Sequence, residues 1–270
     1  MNNGVNTKVL VGGIAEGETA KKLLNSLEKT EDKSFDKHII TYIDFLGMKE
    51  KMRDQNMCYD ILHIIQFLLA NTKNVAKAIH YTNKIEEFNL KVFSDNIVIA
   101  QKINEESVGD QIIGMLNLVW SLQFWALAQF GLFLRGGITI GELYIDKDIV
   151  WGKGLIDAYN LENNVAYYPR VLVSKSIIDK YSENKHKTLE IKAFIDTDSD
   201  GMWFVDYMSA CVHLEILPQA SVSIKDTVQE YKDANERIKQ KINWTISYFN
   251  KYCNSLKNRI DYNECYIELI

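Results

Sequence analysis

Two acidic residues stand where acids are costly. Asp44 lies in His38-Ile39-Ile40-Thr41-Tyr42-Ile43-Asp44-Phe45-Leu46-Gly47-Met48-Lys49, an almost continuous apolar run. Such a run reads as a strand buried on both faces. A carboxylate inside it needs a cation or hydrogen-bond donors to offset its desolvation. Gly47 then lets the backbone turn and come close to a ligand. Asp95 repeats the anomaly in Leu90-Lys91-Val92-Phe93-Ser94-Asp95-Asn96-Ile97-Val98-Ile99-Ala100, where two apolar half-strands meet. One such Asp would read as a turn residue satisfied by backbone N–H groups. Two in matching contexts favour a shared divalent cation. Arg135, just before Gly136-Gly137, could reach a phosphate or take part in a surface salt bridge. Paired glycines in a strand mark a bulge or a close backbone approach.

The elements that must position these residues follow from periodicity. Tyr59 to Ile79 reads as a helix with Ile61, Ile64, Ile65, Leu68 and Leu69 on one stripe. Phe88–Phe93 and Ile97–Gln101 read as a hairpin with Asp95 at its tip. Val108 to Gln129 is a long helix, and Leu132 to Tyr144 a strand pair. Val150–Gly154 turns into a helix from Leu155 to Ala166. Val171-Leu172-Val173 is a buried strand. Phe194–Asp196 and Trp203–Asp206 form a hairpin whose Asp198-Ser199-Asp200-Gly201 turn puts its carboxylates at a solvated tip. Ser223 to Leu256 reads as one long amphipathic helix. Val9-Leu10-Val11-Gly12-Gly13-Ile14 lacks a phosphate-loop continuation and reads as a plain turn, with a helix at Ala20–Leu27 and a charged linker at Lys29–Lys37. His63 and His80 have no partners at ligand spacing and read as structural or surface residues. The order of elements predicts an α+β sandwich with helices covering one sheet face.

Composition sets the outer limits. The chain has 270 residues, 47% hydrophobic and 25% charged, with a net charge of −5. The length suits a substantial core in one or two domains, and the acidic balance argues against duplex nucleic acid as a partner. The four cysteines show no CxxC pairing, which predicts reduced thiols in a cytoplasmic protein. Met1-Asn2-Asn3-Gly4 does not open a signal peptide. Gln123 and Gln129 interrupt the most apolar stretch, so no membrane span is expected.

Taken together, the motifs resemble class III nucleotidyl cyclases. Ile43-Asp44-Phe45-Leu46-Gly47 is similar to their "D-I-V-G-F" strand, and Lys91-Val92-Phe93-Ser94-Asp95 to "K-T-I-G-D", with Ser94 in place of Gly. Leu134 to Gly141 resembles "R-I-G-I-H-x-G". Trp151-Gly152 to Leu161-Glu162 resembles "W-G-D-T-V-N-x-A-S-R-L-E", and Val171–Ser174 resembles "I-x-V-S". The matches are collinear from about 38 to 207. The Arg135-Gly136-Gly137 form is nearer to the bacterial pyrimidine cyclases of the Pycsar antiphage system than to purine cyclases.

The resemblance implies a ferredoxin-like cyclase fold, α+β, with a central, mainly antiparallel sheet covered by helices. It divides the chain into an N-terminal extension (1–37), a catalytic domain (38–210) and a C-terminal helical extension (211–270). It implies a homodimer with sites at the interface, a nucleoside triphosphate substrate, two divalent cations (Mn²⁺ or Mg²⁺), and a link to a cyclic-nucleotide-activated effector. Asp44 and Asp95 match the metal carboxylates, and Phe45 the residue whose carbonyl also touches a metal. Phe45, Leu46, Gly47 and Met48 would offer backbone N–H groups to the triphosphate. Lys91 matches the base-reading lysine. Three positions depart from the pattern: Ile156 replaces the transition-state Asn, Asn160 replaces the transition-state Arg, and Ile149 takes the second purine-reading position. Arg135 or Arg170 could supply the missing charge. UTP, then CTP, is the expected substrate. The alternatives are a cyclase-like nucleotide-sensing or dimerisation module that does no chemistry, or a purine (ATP or GTP) cyclase.

Overall fold

The computed structural model describes residues 34–48, 55–184, 190–213, 216–256, 258 and 265–270. The expectations for 9–14, 20–27 and most of 29–37 lie outside them. Strand β1 (Asp36–Phe45) is hydrogen-bonded on both edges, antiparallel to β3 (Asn96–Lys102) and to β4 (Leu134–Ile145). This explains its apolar run: a strand in mid-sheet with helices on either side has no wet face. Ile39, Ile43 and Phe45 point into a core shared with α1 (Gln55–Asn83) and α2 (Val108–Phe130). Ile40 and Tyr42 point the other way, into a smaller cluster with Ala158 of α3 (Lys153–Asn160).

The sheet runs β2-β3-β1-β4-β6-β8-β7, and β5 (Val150–Trp151) pairs with the far end of β4. Here β2 is Asn89–Phe93, β6 is Val171–Val173, β7 is Ile195–Thr197 and β8 is Trp203–Val205. The βαββαβ order with the β4-β1-β3-β2 arrangement is the ferredoxin-like motif. Among the ladders of the described residues only β4–β6 is parallel. The fold is therefore α+β with a mainly antiparallel central sheet. Helices cover both of its faces, α1 and α2 on one and α3 on the other, so the expectation of a single covered face was too narrow. Of the α1 stripe that periodicity put on Ile61, Ile64, Ile65, Leu68 and Leu69, Ile61, Ile65 and Leu68 are buried, Ile64 and Leu69 pack partly buried against the same core, and the stripe continues to Ala76 and Ile79. Helix α2 is long and apolar enough to cross a membrane, but 78% of its apolar window is buried inside the fold.

Two elements differ from the sequence reading. Leu132 to Tyr144 is no strand pair: β4 runs straight through both glycines, with Phe45 to Asp36 of β1 opposite Leu134 to Leu143. Gly136 and Gly137 make close approach possible rather than a turn. A Cβ on Gly137 would lie 2.4 Å from the Leu161 Cβ and 2.9 Å from the Ala158 carbonyl oxygen, so α3 rests on bare backbone there. The C-terminal helix is also broken, into α6 (Leu217–Tyr231) and α7 (Glu236–Ser255), after α4 (Lys175–Glu183) and the short α5 (Ser209–His213). Asn235 caps α7 by accepting a bond from the Ile238 N–H at 3.1 Å. That residue is a favoured N-cap, and each helix buries its own stripe.

Asp36–Ile270 forms one compact unit. Helix α7 is fastened to it at several points. Trp244 donates its indole N–H to Asp198 at 2.7 Å, and Tyr248 and Tyr252 both donate to Asp206. Asn243 and Asn250 each exchange two hydrogen bonds with backbone of the terminal segment, at Ile270 and Ile267. Gly137→Ala should lower the unfolding free energy by about 1–3 kcal/mol, because the new methyl overpacks the α3–β4 contact. Chemical denaturation of the purified variant measures this, and a variant as stable as the parent would contradict the contact.

Candidate active site

The ladders of β1 carry Asp44 to the α3 face and set it between two particular neighbours. It is opposite Asn96 on β3 and opposite Arg135 on β4. Asp95 lies in the two-residue turn between β2 and β3. Its carbonyl accepts the Phe45 N–H at 3.1 Å, tying the turn to the end of β1. Its side chain is buried, and Asn96 Nδ2 donates to its Oδ1 at 3.1 Å. Tyr42 in turn donates to Asn96 Oδ1 at 2.8 Å. Sheet pairing thus brings together two acids 51 positions apart in sequence (95 − 44). Ser94 has φ +56°, a left-handed conformation that costs a non-glycine residue about 1–2 kcal/mol.

Arg135 is interior, and its partners differ from both sequence readings. It forms an ion pair with Glu162 and stands 3.6 Å from Asp44, and its Nη1 donates to the Ala166 carbonyl at 3.4 Å. The Arg135 and Glu162 side chains are only 15% and 4% exposed, so this is no surface salt bridge. Glu162 belongs to a π-turn, Leu161–Val165, that continues α3, and the Ala166 N–H closes it on the Leu161 carbonyl at 2.8 Å. Such turns cluster at functional sites. The Arg135 charge is committed to carboxylates. Arg170 cannot stand in for it: it is fully buried elsewhere, bonded to Asp198 and Asp200 and flanked by the Tyr168, Phe204 and Trp244 rings. The Asp198 carboxylate is accordingly an anchor in the fold and not part of a solvated tip.

The loop after β1 narrows the expected phosphate contacts. The Phe45 N–H is used by the Asp95 carbonyl, and the Leu46 N–H by the Phe133 carbonyl at 3.0 Å. Of the four N–H groups expected for a triphosphate, those two are already bonded, which leaves Gly47 and Met48. Gly47 has φ +80°, and the Met48 side chain is buried. Lys91 donates to the Lys147 carbonyl at 2.5 Å, which brings it against the turn before Ile149. Asp146 shapes that turn by accepting the Asp148 and Ile149 N–H groups at 2.8 and 2.7 Å. Ile149, Ile156 and Asn160 are exposed.

The field around Asp44 is negative. Burial, followed by the charges of Glu162, Asp44, Tyr159 and Asp95, pushes the Tyr42 phenol up to about 12, so it stays a donor. Lys241 of α7 belongs to the same neighbourhood. Desolvation first, then the charges of Arg135 and Arg237, holds its ammonium below the usual lysine range, while Asp44 and Glu162 pull the other way. Glu162, Asn96, Tyr42 and Lys241 were not singled out from sequence. Two of them carried a signal: Tyr42 is an aromatic two residues before Asp44 on the same face, and Glu162 closes the stretch that resembles the "W-G-D-T-V-N-x-A-S-R-L-E" motif.

Among the described residues no three His, Cys, Asp or Glu side chains converge as a ready metal cage. The donors present still fit a hard cation. Magnesium is commonly held by one or two carboxylates together with substrate phosphates, which matches Asp44 and Asp95 with the Phe45 carbonyl beside them.

No family model matches the chain, and no curated protein matches it. Solved structures do. The monomeric guanylyl cyclase domain of the RhoGC fusion protein from the aquatic fungus Blastocladiella emersonii aligns with 65% of this chain and 98% of its own, at 12% identity and a TM-score of 0.44. The guanylyl cyclase Cya2 covers 64% and 94% at 9% identity and a TM-score of 0.42. The adenylyl cyclase CyaB from P. aeruginosa covers 63% and 93% at 16% identity and a TM-score of 0.36. At these scores the likenesses establish neither activity nor substrate for this chain.

Arg135→Ala should destabilise the protein by about 3–5 kcal/mol, because Glu162 is left as a buried charge without its cation. The double variant Arg135→Met with Glu162→Met should recover most of that loss. Equilibrium unfolding of the single and double variants tests the pair, and additive losses would contradict it.

Proposed function

We propose that this protein is a nucleotidyl cyclase that converts a nucleoside triphosphate, UTP in preference to CTP, to a 3′,5′-cyclic nucleotide and pyrophosphate. The observation that carries this reading is the placement of Asp44 and Asp95 at one end of the β1–β3 ladder, beside a Gly47 turn. In the reaction the 3′-oxygen bonds to the α-phosphorus, the bond to the β-phosphate breaks, and pyrophosphate leaves with the electron pair. The hydroxyl proton goes to water. Two divalent cations, held by Asp44, Asp95 and the Phe45 carbonyl, would supply activation of the hydroxyl and neutralise phosphate charge. Arg135 and Glu162 hold Asp44 in place, and Asn96 orients Asp95. The Gly47 and Met48 N–H groups face the phosphates, and Lys91 faces the base.

Lys91 has only donors, and uracil O2 and O4 only accept. Cytosine replaces O4 with an amine that Lys91 would repel. Ile149 offers an apolar wall in place of a polar purine reader. An exposed apolar strip supports a homodimer. Phe93 and Tyr159 flank Tyr42, with ring centroids 6.3 and 5.4 Å away, and Ile149, Trp151 and Ile156, of β5, α3 and the turn before them, are also exposed. A second chain on that face would lie against the site. The cyclic product would act in the cytoplasm on a cyclic-nucleotide-activated effector, and antiphage defence is the setting that the Pycsar resemblance implies. Ile156 and Asn160 favour a second reading, a nucleotide-binding module without turnover.

Incubation with each of the four nucleoside triphosphates and Mn²⁺ separates the readings. Cyclic UMP should form fastest, and Asp44→Ala or Asp95→Ala should abolish it while the thermal midpoint stays within a few degrees. Faster cyclisation of ATP or GTP would refute the pyrimidine preference, and binding without any product would favour the module.

Lys91→Ala should slow UTP turnover roughly ten- to a hundredfold, the worth of one charge-assisted hydrogen bond, and narrow the UTP-over-CTP ratio. An unchanged ratio in steady-state kinetics would remove Lys91 from base reading.

A further inference from the structure

A site for a triphosphate needs a cation that is not already paired, and the residues expected to provide one do not. Arg135 is neutralised by Glu162 and Asp44, Arg170 by Asp198 and Asp200, and positions 156 and 160 carry no charge. Lys241 differs from them. It is partly buried, and among the described residues it has no carboxylate within ion-pair distance. Its ammonium sits over the Tyr167 ring, 5.7 Å from its centre. A partly buried ammonium without a counterion is an unfavourable arrangement unless an anion completes it.

Its position is fixed from both ends. Tyr167 donates to Gln240, the residue before Lys241, at 2.9 Å. Tyr167 also follows Ala166, whose carbonyl receives the Arg135 guanidinium. A continuous path therefore runs from Asp44 through Arg135 and Tyr167 to Lys241. On the other side α7 is locked by Trp244 on Asp198 and by Tyr248 and Tyr252 on Asp206. The fields of Asp44, Glu162 and Arg135 reach Lys241, which puts its ammonium on the Asp44 side of the proposed site.

We propose that Lys241 of α7 binds the phosphate chain of the nucleotide, supplying from the C-terminal helix of the same chain the positive charge that α3 lacks. This rests on the cyclase reading for its ligand, but it concerns binding of a polyphosphate and can be tested without turnover. In the complex the ammonium would leave the Tyr167 ring for phosphate oxygens, a stronger partner for a cation.

The test is calorimetric binding of inorganic tripolyphosphate with Mg²⁺ to the full-length protein. Lys241→Met and Lys241→Gln should each weaken binding about ten- to a hundredfold. Lys241→Arg should stay within about threefold of the parent, because the charge is kept. Lys251→Met, which removes a cation from the same helix at its ion pair with Asp196, should leave binding unchanged. Two neutral variants keep the test open if one of them folds poorly by thermal melting. Unchanged affinity in either folded neutral variant overturns the proposal, as does a parent protein that binds no tripolyphosphate. A parent that makes no cyclic nucleotide but binds tripolyphosphate through Lys241 would fail the cyclase reading and leave this inference standing.

Discussion

The double ladder that holds β1 between β3 and β4 fixes which side of the sheet Asp44 faces. In a strand the side-chain period is two, so a slip of one residue would turn Asp44 into the α1–α2 core and Ile43 out of it. Two independent ladders on the same strand make such a slip costly, and each delivers a different partner to the acid. From β3 comes Asn96, which is bonded to Asp95; from β4 comes Arg135, which is bonded to Glu162. The site is in this sense a property of strand register.

The ionic cluster has an energetic logic of its own. Buried ion pairs seldom add net stability over an apolar replacement, because desolvating both charges consumes most of the attraction. Arg135 and Glu162 therefore need another reason to be where they are. Their arrangement leaves Asp44 beside a guanidinium that is itself restrained by a second carboxylate. A neutral core at this position would give Asp44 no fixed neighbour on the β4 side. Tyr42 contributes similarly: with its phenol held protonated by burial and by nearby negative charge, it can only donate to Asn96 Oδ1. That leaves the Asn96 amide to donate to Asp95.

Local sequence was informative wherever a local rule governs. The apolar run of β1, the stripe on α1 and the Ser94-Asp95 turn were all readable, because pleat and helical periods depend on near neighbours. The straight course of β4 was not: Gly136-Gly137 looks like an interruption until α3 is laid over it. The break at Asn235 was hidden because the apolar residues of α6 and α7 happen to stay in phase across it. The cluster at Asp44 was legible in its two acids and opaque in its partners. Glu162 lies 27 residues beyond Arg135 and Lys241 lies 197 beyond Asp44 (162 − 135 and 241 − 44), and no periodicity links either pair. The register of the sheet and the docking of α7 decide those meetings, and both are long-range outcomes.

The asparagines of α7 invite a comparison of lengths. Asn243 and Asn250 are two helical turns apart, a rise of about 10.5 Å. They grip Ile267 and Ile270, three extended residues that span about 10 Å. The two rulers match, so a carboxamide on the helix meets the backbone N–H and carbonyl oxygen of one residue at both marks. What is recognised is backbone, and the side chains of Glu268 and Leu269 play no part in it. The helix thus treats its own terminus as it would a neighbouring strand. Identity should matter at the two asparagines and at the inward Ile267, while the residues between the marks are free to drift.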